Sequence, residues 1–327
     1  MKAKIKVGIV GSAGYTGGEL IRILLNHTEV ELVFAHSESQ AGKPLYAVHN
    51  DLLGDTDLTF AHTLQEDIDV LFLCVGHGNA RAFLEKHAIP AHIKIIDLSQ
   101  DFRLKERANF QDRHFVYGLP ELQKEAIKQA SNIANPGCFA TTIELALLPL
   151  AKNGLIKSPI HVNATTGSTG AGQAPGATTH FSWRSNNLSI YNAFTHRHLH
   201  EIKETLSYTD QQAPTIHFIP QRGAFPRGIL AAASIQVSKS LESLTDIYRQ
   251  YYQAHPFTHI SDTPIDLKQV INTNKCILHL QKHEDQLLIT SISDNLLKGA
   301  SGQAVQNMNL LFGLEETSGL KLKASAF

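Results

Sequence analysis

Apolar and polar positions follow two rhythms along this chain. Residues 5–10, Ile-Lys-Val-Gly-Ile-Val, form a largely apolar run of the kind found in strands buried on both faces. Residues 19–27 then repeat apolar positions at helical spacing. Residues 31–36, 69–75 and 94–98 return to the buried-strand pattern. A short strand over 132–134 feeds a long apolar helical run from Cys138. Strands alternating with helices predict an α/β, Rossmann-type nucleotide-binding domain with a parallel sheet. From Pro159 the rhythm changes. Residues 160–166 alternate apolar and polar, as strands with one wet face do. Further strands are predicted over 215–219, 228–237, 275–281 and 286–293, with a helix over 240–252 among them. That succession predicts an α+β second domain built on a largely antiparallel sheet. Residues 298–313 read as one closing helix stopped at Gly313.

With 327 residues the chain can build two domains with sizeable cores. Its formal net charge of -1 gives no basic field for nucleic acid or an acidic membrane surface. Any anionic ligand must then be held by local arginines and backbone N–H groups. The three cysteines, at 74, 138 and 276, form neither a disulfide framework nor a C-x-x-C metal pattern. No apolar run approaches the roughly 20 residues that span a bilayer, and the amino terminus lacks a signal-peptide core. A soluble, cytoplasmic protein is expected.

Two stretches carry candidate chemistry. Gly11, Gly14 and Gly17 lie between the first strand and the first helix, where glycines let a backbone approach a pyrophosphate and the helix start supplies donors. After the second strand, Ser37 and Ser39 flank Glu38, so that loop does not decide between NAD and NADP. The second stretch is Asn135-Pro136-Gly137-Cys138, which delivers a cysteine to a helix start. Free N–H groups and the helix dipole favour a thiolate there and could hold an oxyanion. Downstream, His196, His198 and His200 stand at alternate positions. Helical spacing from about His198 turns them to different sides and disfavours a metal site; no metal is expected. One of these histidines is the expected acid/base partner of Cys138.

Six motifs in order then bring a family into view: Gly11-Ser-Ala-Gly14-Tyr-Thr-Gly17, Asp97-Leu-Ser-Gln-Asp-Phe-Arg103, Tyr117-Gly-Leu-Pro-Glu121, Asn135-Pro-Gly-Cys138, His196-Arg-His198 and the tail from Lys298 to Asn307. In these the chain resembles, over essentially its whole length, the N-acetyl-γ-glutamyl-phosphate reductases within the aspartate-semialdehyde dehydrogenase group. Two prolines of the family pattern are absent: Phe139-Ala140 follows the cysteine, and His200 stands before Glu201.

The resemblance implies an NADP(H)-linked reduction of an acyl phosphate to a semialdehyde in arginine biosynthesis, with release of inorganic phosphate, through a cysteine thioester. It implies Cys138 as nucleophile and His198 as acid/base, with His196 as substrate contact; the sequence does not separate the two histidines. Arg103 is the expected phosphate ligand and Arg227 the expected partner of the substrate carboxylate. Gly11, Ser12, Gly14, Tyr15, Thr16, Gly17, Ser37 and Ser39 would hold the cofactor, with Gly302, Gln303 and Asn307 at its nicotinamide end. The expected division is 1–137 with 302–327 for the nucleotide domain and 138–301 for catalysis and oligomerisation, in a homodimer or homotetramer. The alternatives are a related reductase for N-succinyl-glutamyl, aminoadipyl or aspartyl phosphate, or a nucleotide-sensing protein without catalysis.

Overall fold

The computed structural model describes residues 3–207 and 214–325. The chain divides into two compact units. The first takes residues up to Pro136 and Ala300–Lys321; the second takes Gly137–Gly299 and the tail from Leu322. The expected first domain ran to residue 327. Its last residues instead belong with the second unit, because the Ser325 N–H donates to Ile271 O and Asn272 Nδ2 to Ser325 Oγ.

The first unit runs β1 (Ile5–Val10), α1 (Tyr15–Leu25), β2 (Val30–His36), β3 (Phe60–Ala61), β4 (Val70–Leu73), α2 (Asn79–Lys86), β5 (Lys94–Asp97), β6 (Asn109–Phe110), β7 (Arg113–Tyr117), α3 (Pro120–Gln129) and β8 (Asn132–Ala134). Its sheet has the order β3-β2-β1-β4-β5-β8-β7-β6, parallel except where β6 meets β7. The strand order reverses beside β1, with β2 on one side and β4 on the other. In doubly wound sheets ligands bind at the carboxyl ends of the strands flanking such a reversal, and here the glycine turn leaves β1 at that point. Beyond it, Phe102 stacks on Phe115 at 4.1 Å within a core that includes Leu71, Leu73 and Ile95.

The second unit begins with α4 (Cys138–Lys152), followed by β9 (Ile160–Thr166), α5 (Phe181–Arg184), β10 (Ser189–Ile190), α6 (His198–Ser207), β11 (Ile216–Arg222), β12 (Ile229–Gln236), α7 (Leu241–Tyr252), β13 (Thr258–Ser261), β14 (Cys276–His283) and β15 (Gln286–Ser293). Its sheet has the order β10-β11-β9-β12-β15-β14-β13. The pairs β11·β9 and β14·β13 are parallel and the rest antiparallel. Helix α4 lies against β12 and β15 and is buried from Phe139 to Ala151, as its all-round apolar sequence requires. Pro149 inside it has no N–H for the carbonyl of Leu145. The Tyr252 hydroxyl donates to that oxygen at 2.5 Å, and Tyr248 to the carbonyl of Ala146. Ser240 caps α7 by accepting from the Ser243 N–H.

The chain then returns to the first unit through α8 (Gly302–Leu311). The single helix expected over 298–313 is two pieces: a π-helical turn, Leu297–Ser301, precedes α8. Such turns are local rearrangements that sequence periodicity does not register.

Candidate active site

In the second unit Cys138 is the first residue of α4 and is partly exposed. Helical geometry leaves the N–H groups of Phe139 and Ala140 without intrahelical acceptors, so donors stand beside the sulfur. The preceding N–H, that of Gly137, donates to Glu201 Oε2 at 2.9 Å. The other carboxylate oxygen of Glu201 lies 3.9 Å from Nε2 of His198, one helical turn earlier on α6. His198 and Glu201 are both buried. One carboxylate therefore joins the turn that carries the cysteine to the histidine expected to work with it.

His196 packs edge-on against His198, 4.7 Å between centroids, and against Phe139 at 5.4 Å. Its Nδ1 accepts from the His198 N–H at 3.2 Å, which puts the proton of the neutral ring on Nε2. Desolvation, then the charges of Arg197 and Arg222, lower its pKa to about 4. The ring therefore stays neutral near pH 7. Tyr191, 5.7 Å from His196, has its hydroxyl pKa raised to about 12 by burial and then by the neighbouring Cys138.

Gly299 is built against the nucleophile: a Cβ there would stand 2.8 Å from the Cys138 Cβ. Neither Gly299 nor Glu201 was singled out in the sequence as a site residue. The signal for Glu201 was its place three residues after His198 on a helix. Gly299 sat inside a matched motif with no periodicity to mark it.

Both expected arginine ligands also make contacts within the fold. Arg227 is partly exposed, and its Nε and Nη2 donate to the two oxygens of fully buried Asp294 at 3.0 and 3.2 Å. Removing the guanidinium from that carboxylate would leave a buried charge unpaired, so Arg227 has at least a structural part. In the first unit Arg103 is buried, with Nε on Asn135 O at 2.8 Å and Nη2 on Leu98 O at 2.9 Å. It thus braces the turn that leads to Cys138.

The expected cofactor residues all lie in the first unit. Gly11 has φ of +76° and no room for a Cβ, which would stand 2.6 Å from Cys74 O. A Cβ at Gly17 would stand 2.5 Å from Ser12 Cα, so only glycine lets α1 seat this closely on the turn. A Cβ at Gly14 would meet nothing nearer than Gly11 O at 3.7 Å; it would fill the open space in front of the helix start. These three positions suit a pyrophosphate held by the N–H groups before and within the first turn, including those of Tyr15 and Thr16. Ser301 Oγ donates to Thr16 O, so the start of α8 is tied to this turn. Asn307 Nδ2 donates to Gly118 O and Asn135 Oδ1, while its Oδ1 is buried with no hydrogen-bond partner among the described residues. An unsatisfied buried amide oxygen in a nucleotide domain fits a carboxamide N–H, as the nicotinamide end offers. Gly302 and Gln303 open the same helix and are buried. Ser37 is buried at the end of β2 and Ser39 is exposed.

Among the described residues no group of three or more metal-ligating side chains could hold an ion, and no helix is long and apolar enough to cross a membrane.

A dinucleotide unit joined to a unit bearing a helix-start cysteine and a histidine is the arrangement of a dehydrogenase. Residues 6–130 match the semialdehyde dehydrogenase NAD binding domain, and residues 138–295 the semialdehyde dehydrogenase dimerisation domain. The fold is similar to crystallised aspartate semialdehyde dehydrogenase II from Vibrio cholerae, with a TM-score of 0.73 at 18% identity over 95% of this chain and 99% of that one. It is similar also to the Candida albicans aspartate semialdehyde dehydrogenase with NADP, with a TM-score of 0.70 at 15% identity over 95% and 99%. In sequence the chain is 57% identical over 325 residues to N-acetyl-gamma-glutamyl-phosphate reductase of Bacteroides thetaiotaomicron, covering 99% of this chain and 100% of that protein. The protein of that name from Flavobacterium johnsoniae is 54% identical over 324 residues, with the same coverage. The chain belongs to the N-acetyl-gamma-glutamyl-phosphate reductase family.

Proposed function

We propose that the chain reduces N-acetyl-L-glutamyl 5-phosphate to N-acetyl-L-glutamate 5-semialdehyde with NADPH, releasing phosphate, as a step of arginine biosynthesis. The observation that carries this reading is the Gly137–Glu201–His198 linkage around Cys138 at the start of α4. The thiolate of Cys138 attacks the acyl carbon; a C–S bond forms, the C–O bond to phosphate breaks, and phosphate leaves with the electron pair. Donors at the α4 start hold the oxyanion of the tetrahedral intermediate. A nicotinamide held by the first unit would supply the hydride needed to take the thioester to the aldehyde level. His198 protonates the resulting thiohemiacetal oxygen, then takes that proton back as the C–S bond breaks and the thiolate is released. Neutral His196, its Nδ1 already tied to the backbone, serves as a contact and not as the proton carrier. Arg103 is assigned to the phosphate on the strength of the D-F-R match.

NADP rather than NAD is proposed from the family resemblance, with Ser37 and Ser39 after β2 as the residues that would meet its 2′-phosphate. A homodimer is proposed through the face of the second sheet opposite α4, where His161 and Asn163 are exposed and His161 stacks on His217 at 4.9 Å. Ile219→Asp on that face should yield monomers in light scattering; an unchanged mass would reject the interface.

The main test is the reverse assay with N-acetyl-glutamate semialdehyde, phosphate and NADP or NAD. Wild-type protein should turn over with NADP, and Cys138→Ser should lose turnover while still quenching or enhancing NADPH fluorescence on binding. Undiminished turnover in that variant would reject the mechanism.

A further inference from the structure

With Arg227 committed to Asp294, the substrate's carboxylate has no ligand in the second unit from the residues singled out in the sequence. Arg222 is a further cation of that unit. It ends β11, and its position is built on three sides. Its carbonyl accepts from Arg184 Nη1 at 2.6 Å, its backbone pairs with Ser189 of β10, and it stands in parallel register with Thr166 of β9. Its guanidinium carbon lies 4.5 Å over the ring of Tyr191, the ring that packs on His196.

Side chains alternate across a strand, so Arg222 shares a face of β11 with Phe218, four residues earlier. Phe218 packs on Phe139, the neighbour of Cys138, at 5.2 Å and on His196 at 5.5 Å. Arg222 therefore lies on the cysteine side of the sheet.

Two polar atoms there are unsatisfied. Arg222 Nε and Thr166 Oγ1 are buried with no hydrogen-bond partner among the described residues, and Thr166 is 1% exposed. Buried donors without partners are rare in native folds unless a ligand or water completes them. Arg222 makes no ion pair among the described residues: its side chain donates to the Tyr191 hydroxyl, and the nearby charge of Arg184 is of its own sign. A guanidinium set on an aromatic ring, on a residue in register with a buried threonine and without a carboxylate partner, is arranged for an anion with two oxygens.

We propose that Arg222, stacked on Tyr191 with Thr166 Oγ1 beside it, binds a carboxylate of the acyl substrate in the Cys138 pocket and makes the enzyme selective for carboxylate-bearing aldehydes. This rests on the acyl-phosphate reductase reading above. The carboxylate has two sources, the α-carboxylate of the glutamyl unit and a second one at the end of an N-succinyl group.

Three aldehydes separate them in the reverse assay: N-acetyl-glutamate semialdehyde, its N-succinyl counterpart, and 4-acetamidobutanal, which has no carboxylate. Wild-type turnover of any of them tests the underlying reaction; the variants test Arg222. Arg222→Leu should raise KM for the carboxylate-bearing aldehydes at least about 10-fold, the loss of one charged hydrogen-bonded contact, with KM for 4-acetamidobutanal and for phosphate unchanged. Arg222→Lys should recover part of the loss. A rise for both N-acyl-glutamate semialdehydes assigns the α-carboxylate, and a rise for the N-succinyl compound alone assigns the acyl end. Unchanged KM values, an equal loss on all three aldehydes, or a rise confined to phosphate would each overturn the proposal. Melting temperature and the rate of Cys138 alkylation show whether Arg222→Leu is folded; if it is not, the same comparison on Arg222→Lys decides.

Discussion

The Glu201 carboxylate stands between the nucleophile's turn and its proton partner, with Oε2 on the Gly137 N–H at 2.9 Å and Oε1 3.9 Å from His198 Nε2. This relationship separates geometry from charge. In Glu201→Gln the amide oxygen can still accept from Gly137, but the attraction to an imidazolium is lost. We expect kcat to fall about 10- to 100-fold, a fraction of the roughly 10²–10⁴ that acid–base catalysis contributes, with little change in KM. The rate of Cys138 alkylation should stay near wild type, because the turn keeps its hydrogen bond. A variant with wild-type kcat would show that the 3.9 Å pair does nothing for proton transfer.

Gly299 tests how tightly the sulfur is placed. A methyl group there would lie 2.8 Å from the Cys138 Cβ and 3.2 Å from the Asp294 carbonyl, and neither neighbour is a flexible side-chain end. Gly299→Ala should cost about 1–3 kcal/mol of stability, as overpacking does, and should lower kcat through displacement of the thiol. Unaltered thermal stability together with unaltered turnover would mean that the π-helical turn Leu297–Ser301 shifts freely and does not position the cysteine.

What the sequence made legible was whatever depends on local pattern. The strand–glycine–helix start, the cysteine at a helix terminus and the alternating strands of the second unit each follow from spacing along a short segment. The partners of the arginines did not. Arg227 looked available because its partner, Asp294, is 67 residues away in sequence. Arg222 looked ordinary because nothing local announces its unsatisfied Nε, and its neighbours Thr166 and Tyr191 lie on two other segments. The π-helical turn at Leu297–Ser301 escaped for a different reason: one extra residue per turn leaves the apolar pattern of the following helix unchanged.

His196 gives a stability prediction with a definite sign. Burial beside two arginines lowers its pKa from 6.5 to about 4. Between those values the unfolded chain holds a proton on this ring that the folded chain does not. Stability linked to His196 therefore rises with pH through the window and is lost as the pH falls through it. The midpoint of thermal unfolding should drop on acidification from pH 6.5 towards 4. His196→Asn, which has no titrating group, should show a shallower drop over the same range. Parallel curves for the two proteins would mean that His196 titrates alike in the folded and unfolded states.

The last prediction concerns the helix that carries the nucleophile. Pro149 deprives the Leu145 carbonyl of its usual donor, and the Tyr252 hydroxyl, from α7, replaces it at 2.5 Å in a fully buried setting. Tyr252→Phe keeps the ring and its packing but leaves that carbonyl unsatisfied, which should destabilise the protein by about 1–3 kcal/mol. A second change separates this cause from general disturbance. In Pro149→Ala the restored N–H can donate to Leu145 O, so Tyr252→Phe in that background should cost much less than it does alone. Urea denaturation of the four proteins closes the cycle. Additive losses would show that Tyr252 is not the substitute donor for Pro149, whereas a coupling that removes most of the Tyr252→Phe penalty is the result expected from the hydrogen bond.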